Sequence, residues 1–93
     1  MVVASLSVEF LVPGSASLKD KRQAVRSIRD KIRNKFNVSI AEVDNQDLWQ
    51  RGTLGVAVVA TDGAMAREVL DKVRELVERD YRVSILEANI DFL

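Results

Sequence analysis

The spacing of apolar residues alternates along this chain between a strand-like and a helix-like period, and the order of those periods restricts the fold more than any other feature. Residues 2–12 alternate between apolar and polar side chains, which predicts a half-buried strand. A Pro-Gly pair ends that strand. Ser17 and Asp20 then match a helix capping box, and the apolar spacing predicts a helix from there to about Phe36.

A hairpin of two strands is predicted in the middle of the chain. Residues 38–43 form the first of these strands, and the second is strongest over Leu54–Thr61. The turn is placed at residues 44–47, because Asn and Asp bond to their own backbone and accept tight geometry. A turn at Arg51-Gly52 is the less favoured alternative.

A second helix and a last strand complete the pattern. Asp62 is expected to cap a helix over residues 63–80, and the last strand spans about 82–92. The register of that strand stays open, because Val83 and Ile85 favour one face and the apolar residues from Leu86 onward favour the other; a β-bulge is one explanation. The apolar stripe predicted for the second helix consists of Met65, Val69, Leu70, Val73, Leu76 and Val77.

This βαββαβ order predicts an α+β protein with a ferredoxin-like split βαβ sandwich. Its antiparallel four-stranded sheet would carry two helices on one face and leave the other face open. We expect residues 1–93 to form a single ferredoxin-like domain, since the chain shows no linker or low-complexity segment. A domain of this size buries one core but has little room for a deep cavity.

No pattern in the chain points to catalysis, and we expect a protein that is not an enzyme and has no cofactor. Cysteine and histidine are absent, which removes thiolate sites and the commonest general base and metal ligand. The glycines are scattered, so no glycine-rich phosphate loop exists. No metal is expected either, because Glu42, Asp44 and Asp47 match no known binding loop. The start of the chain resembles no secretory signal, and the uncharged apolar runs are too short for a membrane span.

The first predicted helix concentrates the basic residues of the chain. Residues 19–35 contain eight Lys or Arg and two Asp, a net charge of +6 in a chain of net charge zero. Aligned cations suit a run of phosphates, so this surface predicts RNA binding that weakens as salt rises. In the alternative hypothesis, these charges pair with acids of the second helix or with Glu87 and Asp91. Five of the cations fall in one narrow sector at helical spacing, here called the basic stripe: Lys19, Arg22, Arg26, Arg29 and Arg33.

The open face of the sheet is the second candidate surface. If the third strand keeps its alternation back from Leu54, Leu48 faces the helices and Trp49 faces outward. This flat face suits a homodimer, and Trp49 beside Arg51 also suits stacking on an unpaired base. In a third hypothesis, the turn twists Trp49 back over the rim of the core. The predicted interface residues are Ser5, Ser7, Trp49, Arg51, Gly55, Ala57 and Val59.

Two stretches resemble the YlxP-like family of small bacterial cytoplasmic proteins of unassigned function. One is Ser17-Leu18-Lys19-Asp20-Lys21-Arg22, and the other covers residues 37–62, above all Ala41-Glu42-Val43-Asp44 and Gln46-Asp47-Leu48-Trp49-Gln50-Arg51. The resemblance spans almost the whole chain and implies a ferredoxin-like fold without agreed catalytic residues. Genes of that family often lie near genes for translation initiation and for a ribosome-binding factor, which implies work near RNA or the ribosome.

The sequence therefore predicts a non-enzymatic cytoplasmic protein that associates with RNA or the ribosome through the basic stripe. The alternative is a homo-oligomeric protein-interaction module, or a small-ligand regulatory module, that uses the open face of the sheet. Neither hypothesis includes a membrane, a metal or a cofactor.

Overall fold

Six helices and strands follow one another in the order that the sequence predicts. The computed structural model describes all residues, 1–93. The sheet has the strand order β2-β3-β1-β4, every neighbouring pair is antiparallel, and both helices pack on one face. The predicted ferredoxin-like sandwich is therefore confirmed. The bounds are β1 (Val2–Leu11), α1 (Leu18–Lys35), β2 (Ser39–Asp44), β3 (Arg51–Ala60), α2 (Gly63–Arg79) and β4 (Ser84–Phe92).

Side chains cap the first turn of both helices. The Ser17 hydroxyl accepts the Asp20 backbone N–H at 3.1 Å, and the Asp20 carboxylate accepts the Ala16 N–H at 3.1 Å. This reciprocal pattern is close to the predicted capping box. The difference is that the Asp20 carboxylate accepts the N–H of Ala16, one residue before the N-cap residue Ser17, and not that of Ser17 itself. At α2, the Asp62 carboxylate accepts the Met65 N–H at 2.8 Å. Caps of this kind stabilise a helix by about 1 kcal/mol each. Neither helix is long and apolar enough to cross a membrane.

The core lies between the two helices and the inner face of the sheet. Central strand β1 directs Leu6, Val8 and Phe10 inward, and α1 contributes Ile28 and Ile32. All five side chains are almost completely removed from solvent, so each stabilises the fold by about 1.5–3 kcal/mol through apolar burial.

The prediction that Met65 belongs to the buried apolar face of α2 is wrong. Met65 is half exposed, and Ala66 occupies the buried position instead. At about 100° per residue, Met65 lies on the flank of the face formed by the buried residues of α2 rather than at its centre. Fully buried positions of α2 are Ala66, Leu70, Val73 and Val77.

The loop of the hairpin is longer than the predicted four-residue turn, because β2 ends at Asp44 and β3 begins only at Arg51. Asn45 has a φ of 60°, a left-handed conformation that Asn tolerates better than most residues. The expectation that Leu48 and Trp49 continue the alternation of β3 is wrong. Both residues lie in the loop, and both are exposed.

A β-bulge in β4 settles the register of the last strand. Ile85 lies opposite Phe10 and Glu87 lies opposite Glu9, so Leu86 is the extra residue. An extra residue reverses the side on which the following residues point. The apolar residues before and after the bulge can therefore both face the core, as their sequence pattern indicates.

The connection from α2 to β4 is fixed by an ion pair with a definite pH dependence. Arg82 donates from Nη2 to the Asp80 carboxylate at 2.6 Å and to the Ser27 hydroxyl of α1 at 3.0 Å. The hydrogen bond from the Arg82 side chain holds the pKa of Asp80 below its usual value. The Asp80 side chain is only 7% exposed. A carboxyl with a lowered folded pKa stabilises the fold above its unfolded pKa. That stabilisation is lost as pH falls through the folded value, below about pH 4.

Asp80→Asn is expected to lower the free energy of unfolding by about 1–2 kcal/mol at neutral pH, because a charge-assisted hydrogen bond is lost. Urea unfolding of parent and variant at several pH values measures this difference. It should shrink below about pH 4, where the parent carboxyl becomes protonated. Asp47→Asn in the exposed loop is the matched control and should change little at any pH. If the difference in unfolding free energy between parent and Asp80→Asn stays constant from neutral to acid pH, the ionised Asp80 carboxylate is not the source of the stabilisation.

Candidate nucleic-acid interface

The basic stripe runs along the flank of α1 that lies beside edge strand β2. Lys19, Arg22 and Arg26 are exposed and make no hydrogen bond or ion pair with any other residue. Three cations of the stripe therefore project freely into solvent. Their side chains keep all their donors for a ligand.

The other two stripe residues are partly engaged. Arg33 donates from Nη2 to the backbone carbonyl of Ile40 in β2 at 3.1 Å, although most of its side chain remains exposed. Arg29 is half-buried, and its Nε lies 3.9 Å from the Asp30 carboxylate, beyond hydrogen-bond distance. This end of the stripe is anchored to the edge of the sheet while retaining its charge.

The structure shows none of the neutralising pairs that the alternative hypothesis requires. The ion pairs of α2 are internal, Lys72 with Glu68 at 3.1 Å and Arg74 with Glu78 at 3.2 Å. The two carboxylates of β4 lie on the opposite edge of the sheet from β2. The acids of α2 and β4 therefore do not neutralise the stripe.

Sequence reasoning missed the role of Lys21, which is 0% exposed at the centre of an unusual site. Its ammonium donates to three backbone carbonyl oxygens, those of Asn45 at 2.7 Å, Gln46 at 3.1 Å and Arg51 at 3.1 Å. A carboxylate oxygen of Glu42 lies 3.1 Å away. Because the three carbonyls use the three N–H donors, this oxygen is held by charge and has no hydrogen bond of its own.

A sequence signal for this buried lysine exists. Lys21 precedes Val25, Ile28 and Ile32 at intervals of four, three and four residues, the spacing of one helix face. A lysine in register with an apolar stripe must either reach solvent past its neighbours or find buried partners. Counting Lys21 only as one of the basic residues of the helix hides this property.

The Lys21 contacts explain why the loop departs from the alternation of β3. In the loop, residues 45–50, the carbonyls of Asn45 and Gln46 point toward the ammonium, and the chain leaves the ladder of the sheet there. Gln50 also donates to the Ser15 carbonyl at 3.0 Å and accepts the Val12 N–H at 2.8 Å. Leu48 and Trp49 are left pointing outward from a loop whose backbone is fixed.

A shallow depression of about 440 Å³ adjoins this loop. Its lining combines apolar side chains with Arg51, whose guanidinium donates to the Glu9 carboxylate on the neighbouring strand. The lining residues are Leu11, Leu48, Trp49, Gln50 and Arg51.

The open face of the sheet brings together six of the seven predicted interface residues. Ser5 lies opposite Ala57 and Ser7 opposite Gly55, and the Val43 side chain packs over Gly55, where no side chain blocks it. The seventh residue, Trp49, lies beyond the strand in the loop. The helices cover the other face, so the structure does not unite this surface with the basic stripe.

The three acids considered for a metal do not converge. Glu42 faces the core and Lys21, whereas Asp44 lies opposite Thr53 on the outer side and accepts the Asn45 N–H at 2.8 Å. Asp47 is exposed in the loop. Their carboxylates point in different directions.

Comparison with known proteins identifies a family, a curated relative and similar solved structures. A family model described as "Protein of unknown function (DUF503)" matches residues 3–90. The chain is 36% identical over 70 residues to the uncharacterized protein YlxP of Bacillus subtilis (strain 168), across 75% of this chain and 76% of that protein. A de novo designed protein with a ferredoxin fold has a TM-score of 0.60 at 16% identity, covering 100% of this chain and 84% of the design. A C-terminal segment of the alpha subunit of aIF2 from Pyrococcus abyssi has a TM-score of 0.54 at 21% identity. The match covers 98% of this chain and 49% of that segment. Both structural likenesses show the fold.

Proposed function

The chain belongs to the DUF503 family of proteins of unknown function, and we propose that it is a non-enzymatic cytoplasmic protein that binds RNA or the ribosome through its basic stripe. The observation that carries this proposal is the free state of Lys19, Arg22 and Arg26 on one flank of α1. The resemblance to the YlxP-like family, with its implied translation genes nearby, supports the choice of RNA by association.

The shape of the stripe fits a polyanion better than a single anion. From Lys19 to Arg33 the stripe spans fourteen residue-to-residue steps of helix, which corresponds to about 21 Å. A length of this order faces several consecutive phosphates. Arg offers planar pairs of donors to phosphate oxygens, and Lys offers a compact charge.

The physical driving force is the release of counterions from the RNA. Each phosphate neutralised by Lys or Arg frees condensed cations, so the affinity falls steeply as the salt concentration rises. Such contacts position a protein on RNA but carry little sequence information. The proposal therefore concerns association with RNA as a class rather than one sequence.

Direct binding at low salt tests the proposal. Fluorescence anisotropy with labelled RNA at about 50 mM salt should detect a complex, and affinity capture from a native cell extract should lose its partners after ribonuclease treatment. Absence of RNA binding by the parent protein at low salt would refute the proposal. Capture that is indifferent to ribonuclease would point to a direct protein partner instead.

A second candidate function is a homo-oligomeric interaction module, or a small-ligand regulatory module, on the open face of the sheet. The observation that favours it is the exposed Val59, 66% accessible near the end of β3 on this uncovered surface, on the same side of the strand as Ala57. For the homodimer, light scattering at high protein concentration should report twice the monomer mass, and Val59→Glu should restore the monomer because it buries a charge. A monomer at high concentration would remove the homodimer hypothesis.

A further inference from the structure

We propose that edge strand β4 pairs with β4 of a second copy of this chain, so that two four-stranded sheets join into one continuous sheet. The two strands run antiparallel about a twofold axis at Ile90. This inference is independent of RNA binding, because the basic stripe lies beside the opposite edge strand, β2. It also uses a surface other than the open face of the sheet.

The backbone of β4 has hydrogen-bonding groups that no other part of the chain uses. Leu93 donates its N–H to the Val3 carbonyl at 2.9 Å, so the odd-numbered residues beyond the bulge direct their N–H and C=O groups toward β1. The even-numbered residues therefore direct theirs away from the sheet, where β4 has no neighbour. These residues are Ala88, Ile90 and Phe92. A row of free edge groups is a template for another strand.

The opposite edge of the sheet is less open to a second strand. On β2, the Ile40 carbonyl accepts a hydrogen bond from Nη2 of Arg33 at 3.1 Å. The Arg33 side chain therefore reaches this edge and occupies one of its carbonyls. No side chain donates to or accepts from the backbone of β4. Of the two edges, β4 is the one that is left uncovered.

The charges on β4 exclude the registers on either side of Ile90. Like charges directly opposite each other on paired strands destabilise a sheet. A twofold axis at Asn89 would place Glu87 opposite Asp91 of the second copy, and an axis at Asp91 would place that carboxylate opposite itself. An axis at Ala88 would carry the pairing across the bulge, where the ladder of β4 is irregular.

An axis at Ile90 places complementary side chains opposite each other. On the open face, Asn89 lies opposite Asp91 of the second copy, so an amide can donate to a carboxylate on each side of the axis. On the helix face, Ile90 meets its own copy and Phe92 meets Ala88. Phe92 is 42% exposed in the single chain, and the pairing covers part of that apolar surface.

The overall charge and shape of the molecule are compatible with this pair. The chain has a net charge of zero, so no general repulsion opposes the approach of a second copy. A twofold axis across the sheet edge keeps the helices of both copies on one face. The two basic stripes then lie at the two outer ends of the joined sheet, where both remain accessible.

Sedimentation equilibrium over a series of protein concentrations measures the pairing. We expect the parent to dimerise, and Asn89→Asp to raise the dissociation constant of the dimer about tenfold, because carboxylates then face each other on both sides of the axis. Exchanging the two residues, Asn89→Asp with Asp91→Asn, should restore the parent value. Ser39→Asp adds the same charge at an exposed position of β2 and is the matched control, which should leave the constant unchanged.

A disulfide tests the register itself, since the chain contains no cysteine. Opposed residues that exchange no hydrogen bond lie about 4.5 Å apart between Cα atoms, which is within reach of a disulfide. A mixture of the Asn89→Cys and Asp91→Cys proteins should therefore form a covalent dimer under mild oxidation. Either variant alone should form much less, because its two cysteines are diagonal neighbours about 7–8 Å apart.

Several results would overturn the inference. A parent that stays monomeric at every concentration would leave the edge to a different extended partner. A dimer that Asn89→Asp does not weaken, that Ser39→Asp weakens equally, or that the exchanged variant does not restore is not held in this register. A dimer that only Val59→Glu dissociates belongs to the open face of the sheet. Equal cross-linking of the mixture and of each variant alone would likewise exclude a fixed pairing at Ile90.

Discussion

Replacing Lys21 with Met is expected to lower the free energy of unfolding by about 3–5 kcal/mol, although the two side chains have similar length and Met suits an apolar face. The substitution leaves the Glu42 carboxylate, only 16% exposed, without its cation. It also removes the ammonium from three partly buried carbonyl oxygens, of which only that of Asn45 keeps a second donor outside the sheet, the Leu48 N–H. Breaking one side of a buried ion pair is costly because the remaining charge stays desolvated.

Thermal and urea unfolding measure this loss. For a 93-residue domain, the expected change corresponds to a fall in Tm of roughly 15–30 °C. The second substitution Glu42→Gln in the Lys21→Met background should recover part of the loss, because it removes the stranded charge. Lys19→Met, on the exposed side of the same helix, is the matched control and should change stability by less than about 0.5 kcal/mol. A Lys21→Met protein within 1 kcal/mol or so of the parent would show that the ammonium does not organise the loop.

Removing the three free cations of the stripe is expected to lower RNA affinity by about ten- to a hundredfold at low salt. The variant combines Lys19→Gln, Arg22→Gln and Arg26→Gln, which remove charge but no contact within the protein. Each exposed phosphate contact contributes about 0.5–1 kcal/mol, and about 1.4 kcal/mol corresponds to a factor of ten. Circular dichroism and unfolding should show an unchanged fold, so the loss can be assigned to binding.

A matched variant separates the position of the charge from its amount. Arg67→Gln, Lys72→Gln and Arg79→Gln remove the same total charge from exposed positions of α2. Binding through the stripe predicts that this variant keeps most of its RNA affinity. An equal loss in both variants would indicate that only net charge matters.

The order and the type of all six helices and strands could be predicted from the sequence, because local signals agree with the fold. Ser17 and Asp62 mark the helix starts, and both do cap a helix. The alternation of β1 identifies a strand that pairs on both sides over nearly its full length. The sequence of β4 shows a change of face after Ile85 but leaves the register open, and only the pairing with β1 identifies the bulge.

The candidate site was harder to predict because its geometry depends on contacts distant in sequence. Lys21 and the Arg51 carbonyl are thirty residues apart, and periodicity within β3 carries no information about that contact. Extending the alternation of β3 into the loop therefore misplaced Leu48 and Trp49. The stripe was predictable as a set of positions on one helix face, but the absence of pairs with Glu87 and Asp91 depends on the sheet order that keeps β4 away from it.

The dependence of RNA affinity on salt tests the central claim most directly. The logarithm of the association constant is measured against the logarithm of the salt concentration for the parent and for the variant without Lys19, Arg22 and Arg26. Binding through the stripe predicts a straight line with a negative slope for the parent. The line for the variant should be less steep by about 2–3 units of slope, since three phosphate contacts are removed. Equal slopes for the two proteins would contradict the claim that these residues neutralise RNA phosphates.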